Sequence, residues 1–245
     1  MTIMKIVIDG IITNYNQIGE GDRNLLILHG WGRSYTEWLS VANSIKGYKI
    51  TLIDLPGFGD SEEPYKAFDI FEYSKFVSDF LKKIEIKDCI ILGHSFGGRI
   101  GTILAMQEPK LVKKLILVDS GGIEERSLKT KIKITLFKII KPFKIFVPNR
   151  IIKMFGSSDY KATNGKMRES FVKIINHDLR YLFSRIKQPV SIIWGSDDHV
   201  LPAFYVKIYK SYIPQSIIRI VWEADHSPYL SKPQDFIEIL KEELS

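Results

Sequence analysis

The chain reads as an α/β protein: a mostly parallel central sheet with helices on both faces, broken by one helical insertion. Three observations predict this. Short continuous apolar runs alternate with stretches of helical period along most of the 245 residues. The runs stop at Gly, Asp, Pro or His, the residues of loops at strand ends. The alternation fails once, for about seventy residues between Asp119 and Gln188.

In chain order, Lys5–Ile8 and Ile11–Gln17 alternate around Asp9-Gly10, the residue pair of a tight hairpin. Leu25–Leu28 is apolar throughout and ends in His29-Gly30, and helical spacing follows over Tyr35–Ile45. Ile50–Ile53 runs into Asp54-Leu55-Pro56-Gly57-Phe58-Gly59, before a helical stretch at Ile70–Ile84. Ile90–Leu92 ends in Gly93-His94-Ser95 and passes into a helix over Phe96–Gln107. Leu115–Val118 ends in Asp119. Val190–Trp194 ends in Gly195 and is followed by a helix at Ala203–Tyr212. Ile217–Trp222 precedes Asp225-His226, and Gln234–Glu243 is helical. Runs that are apolar on every residue belong to parallel strands covered on both faces.

Composition removes several classes. With 45% hydrophobic and 26% charged residues the chain sits at the globular average, and 17 Gly and 10 Pro are too few for a collagen-like or low-complexity protein. The apolar stretches fall far short of the roughly 20 residues a membrane span needs, so no stable membrane insertion is expected. The first residues pass straight into strand-like alternation, and no signal peptide is read there. Cys89 is the single cysteine, which excludes an internal disulfide and a cysteine zinc site and fits a reducing cytoplasm.

The break in the rhythm interrupts a strand–helix–strand crossover. Residues 1–121 and 187–245 are therefore expected to form the core, and residues 122–186 a helical cap over the C-terminal ends of the strands. Charge separates the two. The net charge is +7, yet residues 121–187 carry 16 Lys and Arg against 5 Asp and Glu, while the rest carries 19 against 23. Lys129, Lys131, Lys133, Lys138, Lys141 and Lys144 interleave with Phe137, Phe143 and other large apolar residues. A basic amphipathic helix can lie on an anionic membrane. A cap that buries its apolar face over a pocket and leaves its lysines in water has the same pattern, and this reading is adopted. No nucleic-acid module accompanies the lysines, so no nucleic-acid partner is expected.

The chemistry concentrates at Gly93-His94-Ser95-Phe96-Gly97, a G-x-S-x-G between an expected strand and an expected helix. Glycines let the chain take a sharp strand-to-helix turn that thrusts the serine oxygen into the open. The helix N-terminus adds main-chain donors near developing negative charge. A serine hydroxyl is a weak nucleophile without a base, and the base needs an orienting acid. The order Ser, acid, His is available here. Asp197 and Asp198 follow one later strand, and His226 alone of the five histidines follows the last one.

With these landmarks the sequence resembles the α/β-hydrolase superfamily, in its serine-nucleophile branch with a helical cap. The resemblance runs through His29-Gly30-Trp31-Gly32, Asp54 to Ser61, the turn at Ser95, Trp194-Gly195-x-x-Asp198-x-x-x-Pro202 and His226-Ser227-Pro228. It implies Ser95 as nucleophile, His226 as base and Asp198 as the orienting acid. Asp119 and Asp197 remain alternatives for the acid. It also implies an oxyanion hole built from the main-chain N–H groups of Trp31 and Phe96. A serine nucleophile argues against the dehalogenase and epoxide hydrolase branches, which use an aspartate. No metal-ligand spacing or phosphate loop is found, so no cofactor and no metal are expected.

Arg99, one turn into the helix after Ser95, matches a substrate-carboxylate arginine in the menaquinone-pathway lyase of the same superfamily. It is taken with Phe137 and Phe143 as a candidate substrate contact. The reading that results is a cytoplasmic serine hydrolase acting through an acyl-enzyme on a small or medium carboxylic ester. The alternatives are a C–C bond hydrolase, a lyase of the kind just named, and a slow-turnover ligand sensor.

Overall fold

The computed structural model describes residues 4–124 and 158–245. β1 (Met4–Ile8) and β2 (Ile11–Ile18) form the expected hairpin, with Ile8 facing Ile11. Asp9 and Gly10 have φ of 47° and 79°, the left-handed pair that a two-residue turn requires. β3 (Arg23–Leu28), β4 (Tyr48–Ile53), β5 (Cys89–His94), β6 (Val112–Val118), β7 (Val190–Gly195) and β8 (Ile217–Val221) follow. Among the described residues they make one eight-stranded sheet in the order β1-β2-β4-β3-β5-β6-β7-β8. β2 is antiparallel to both of its neighbours, and every other pairing is parallel.

The sheet is covered on both faces. Leu26 and Leu28 point into a core shared with α2 (Ile70–Lys83), α3 (Phe96–Gln107) and α7 (Phe204–Tyr212). Leu25 and Ile27 point the other way, into a core shared with α1 (Leu39–Ser44) and α9 (Pro233–Leu244). Central β5 is buried at all six positions, whereas edge strand β8 buries only Val221. This is why the central runs are apolar on every residue.

Local signals set the helix starts. Asp69 accepts the N–H groups of Phe71 and Glu72, both at 2.9 Å, while Glu72 reaches back to the Asp69 N–H at 2.7 Å. This reciprocal cap begins α2, which then buries Tyr73, Phe76, Val77, Phe80 and Leu81 at helical spacing. The stretch expected as one helix over Tyr35–Ile45 is instead a 3₁₀ turn at Tyr35–Trp38 running into α1. The Ser34 hydroxyl accepts the Thr36 N–H at 3.2 Å and tightens the first turn.

Between β6 and β7 the described residues include α4 (Ser158–Ala162), α5 (Gly165–Ile175) and α6 (Arg180–Phe183). The Leu179 N–H donates to Gly122 O at 2.7 Å, and the Lys173 ammonium to Ala67 O at 2.8 Å, tying this region to the loops at the sheet's upper end. Phe137 and Phe143, with the lysine-rich stretch around them, lie outside the described residues. α8 (Pro228–Ser231) is a short turn of helix beyond β8. Among the described residues no helix is long and apolar enough to cross a membrane.

Candidate active site

Register decides which loops meet. β3 pairs Leu28 with Gly93 of β5, so the loop holding Trp31 leaves the sheet beside the turn holding Ser95 and Phe96. β6 pairs Val118 with His94 on one side and Ile193 on the other, and β7 pairs Gly195 with Val221. The loops after β3, β5, β6, β7 and β8 therefore converge at the C-terminal ends of the parallel strands, where open α/β sheets place their sites.

Ser95 sits at φ 49° and ψ −103°, a strained conformation for a residue with a side chain. Its N–H is held by Val118 O at 3.0 Å. The flanking glycines are needed for contact as well as for the turn. A Cβ on Gly97 would lie 2.3 Å from Leu28 O, and one on Gly93 would lie 2.5 Å from Gly97 O. The turn can form only where the helix start lies bare against its own strand and against β3.

The Ser95 hydroxyl lies 3.1 Å from Nε2 of His226, and Nδ1 of that ring lies 2.7 Å from Oδ2 of Asp198. Asp198 is buried, and its other oxygen accepts the Val200 and Leu201 N–H groups at 2.7 and 2.8 Å. Three donors thus fix this carboxylate. The geometry gives His226 an Nδ1–H donated to Asp198 and leaves Nε2 to accept from the serine. Asp197 instead faces solvent and accepts from the neighbouring Ser196 hydroxyl at 2.8 Å. Asp119 is buried beside the chain and accepts the Gly195 N–H at 2.9 Å.

Two histidines whose part the sequence did not reveal brace the loops. His94 Nε2 lies 2.7 Å from the carbonyl oxygen of His226, an acceptor, so it carries the proton. Burial, and then the nearby His226, hold the His94 ring well below the ordinary histidine range and keep it neutral. His29 donates from Nδ1 to Gly30 O at 2.7 Å and accepts the Leu55 N–H at Nε2, 3.0 Å away. Burial lowers its pKa too, against the opposing pull of the Gly30 carbonyl. His29 thereby joins the Trp31 loop to the Asp54–Ser61 loop. Asp54 pins the latter by accepting from Tyr35 N–H, Asn14 and Asp60 N–H. Position inside a motif hinted at both rings, but their partners are tertiary.

The rings of Trp31 and Phe96 meet edge-on, 5.2 Å between centroids. Phe96 N–H is the first of α3 and has no acceptor inside the helix. A cleft of about 640 Å³ opens on the Trp31 side, between the Trp31 and Phe58 loops and Asn164 and Met167; Ser95, Phe96 and His226 are not among its lining residues. Its size is that of a small-molecule site. Arg99 points elsewhere. It is buried, and its Nη1 donates to Ile174 O at 3.0 Å and to His177 O at 2.9 Å, at the C-terminal end of α5. The expected carboxylate contact gains nothing from this placement, since the guanidinium joins α3 to the end of α5.

One oxygen of Asp119, one of Asp198 and a ring nitrogen of His226 lie within 4.8 Å of one another. Both Asp198 oxygens are already used by N–H donors, so the cluster is arranged as a hydrogen-bond relay more than as an open ligand set.

Residues 23–138 match the family model described as the alpha/beta hydrolase fold. The sheet order and loop placement agree with it. The chain has the α/β-hydrolase fold. The fold match together with esterase-named relatives makes it a hydrolase. Among related α/β-hydrolases, a pimeloyl-[acyl-carrier protein] methyl ester esterase of Pseudoalteromonas atlantica is 26% identical, covering 92% of this chain and 95% of its own. A karrikin insensitive 2 receptor of Petunia hybrida is also 26% identical, over 93% and 92%. Of solved α/β-hydrolase structures, an esterase from Exiguobacterium antarcticum superposes with a TM-score of 0.78 at 21% identity, covering 98% of both chains.

Proposed function

We propose that the protein is a serine esterase cleaving a small or medium carboxylic ester. Ser95 is the nucleophile, His226 the general base, Asp198 the orienting acid, and the N–H groups of Trp31 and Phe96 the oxyanion hole. The observation that supports this most directly is the unbroken Asp198–His226–Ser95 chain at 2.7 and 3.1 Å, anchored on a strained serine.

In the proposed reaction His226 Nε2 takes the Ser95 proton as the oxygen attacks the ester carbon. Asp198 stabilises the imidazolium that forms, and the two N–H donors hold the oxyanion. The imidazolium then protonates the departing alkoxide, leaving an acyl-serine. Water, deprotonated by the same ring, releases the acid and restores Ser95. Residues 122–186 act as the lid that bounds the cleft, with Phe137 and Phe143 as candidate pocket residues. The esterase names among the relatives support the ester bond as target. The lone buried thiol of Cys89 fits a reducing, cytoplasmic setting.

The relative named as a receptor supports one second reading, a slow-turnover ligand sensor. Fluorophosphonate labelling and turnover of a short p-nitrophenyl ester test both. Labelling is expected in the native protein and lost in Ser95→Ala, with steady turnover. Labelling that survives Ser95→Ala moves the nucleophile elsewhere. A single slow burst without turnover selects the sensor.

A further inference from the structure

Asp119 occupies an unusual position. It follows β6 at φ 40°, left-handed backbone that a non-glycine residue adopts at a cost, and its side chain is buried. Oδ1 accepts the Gly195 N–H at 2.9 Å, which ties the end of β6 to the end of β7. Oδ2 is buried, and no N–H or O–H donor among the described residues reaches it. One carboxylate oxygen of Asp119 lies within 4.8 Å of an oxygen of Asp198 and a ring nitrogen of His226. A buried carboxylate oxygen without a donor is costly, and one beside a second carboxylate more so.

The charged groups that bear on Asp119 are Asp198, from the loop after β7, and Asp225, from the loop after β8, with His226 beside them. Both neighbours are acidic. Asp198 has the better claim to the negative charge, since it accepts from two main-chain N–H groups and from His226, against a single N–H for Asp119. Two carboxyl groups this close share one charge, and the less solvated one keeps the proton. Burial first, and then Asp198, push the Asp119 carboxyl well above the ordinary aspartate range.

We propose that Asp119 is a neutral carboxylic acid that donates its Oδ2 proton to Asp198, making it a positioning residue for the acid of the Ser95–His226–Asp198 chain. This rests on the triad reading given above. A hydrogen bond from Asp119 draws charge from Asp198 and so weakens its hold on the His226 imidazolium.

The sign of one measurement separates this from its rivals. The His226 ring is titrated by nitrogen-15 NMR in the full chain, assigned by loss of its signal in His226→Asn. Asp119→Asn keeps an acceptor for Gly195 and an N–H for Asp198, tolerates the left-handed backbone, and is expected to leave the His226 midpoint where it is. Asp119→Ala removes the donor and is expected to raise the midpoint by about half a pH unit. At neutral pH the native protein is also expected to show a protonated-carboxyl infrared band that Asp119→Asn lacks.

A midpoint that falls by about one pH unit in Asp119→Asn would mean that Asp119 carries the charge, and would overturn the proposal. So would a missing infrared band, a result that stands even where Asp119→Ala does not fold. These readouts need no ester turnover. Ser95 labelling tests the triad reading by itself, so the failure of one is distinguishable from the failure of the other.

Discussion

Asp198 and Asp197 are adjacent in sequence and opposite in situation, because successive residues at a strand end face different ways. One is buried under three donors and the other is in water. Asp198→Asn is expected to lower kcat by roughly 10³ to 10⁴-fold, since an amide neither stabilises the imidazolium nor selects its tautomer. Asp197→Asn should stay within about twofold, as expected for an exposed side chain away from the reaction. Comparable losses at both positions, in side-by-side ester assays, would show that spacing after Trp194-Gly195 chose the wrong acid. Ser95, Asp198 and His226 were all legible in the sequence because each lies in a short motif at the end of an apolar run. Asp119 was legible only as a rival acid. Its proximity to Asp198 arises from lateral pairing of β6 with β7, and no local pattern records that.

Among the elements, boundaries were legible where capping chemistry or continuous apolarity marks them. α3 begins and ends where the pattern placed it, and α2 differs by one residue. The strands reach further back than their apolar runs. β6 has Lys113 and Lys114 directly after Val112, and β3 opens with Arg23, because long cationic side chains carry their charge past the sheet edge to partners elsewhere. Arg99 shows the same limit, since helical position placed it near Ser95 but its acceptors lie far along the chain, at Ile174 and His177. α2 offers a clean test of the local signals. Asp69→Ala removes the acceptor for two N–H groups and should cost about 1 kcal/mol in urea unfolding. A change below about 0.2 kcal/mol would mean that packing against α3 alone sets the start of this helix.

Across the whole molecule, the end opposite the site is tied together by the last turn of α9. Glu243 is buried and accepts from Lys114 at 3.0 Å, Arg219 at 2.7 Å and the Ser191 hydroxyl at 2.5 Å, while Arg23 and Tyr48 donate to Leu244 O. Helix α9 is thus pinned to β3, β4, β6, β7 and β8 at once. Burial alone would raise the Glu243 carboxyl, but the Ser191 hydroxyl, Arg219 and Lys114 outweigh it and hold it below the ordinary value of 4.5. A folded pKa below the unfolded one contributes stability above the unfolded value, and that contribution is lost as pH falls through the folded value. Glu243→Gln should therefore destabilise by about 2 kcal/mol at pH 7, with the gap from the native protein closing as the pH drops below about 4.5. A gap that does not change with pH would assign the loss to shape alone. The convergence of loops at the other end has a consequence for synthesis. Ser95, the proposed nucleophile, is made early, just after β5, and His226, its proposed base, late, after β8. A nascent chain that has emerged past Asp198 but not yet to β8 carries the proposed serine and acid without His226 to activate the hydroxyl. Reactivity therefore arrives with the last strand, after the sheet that shelters the site is nearly whole.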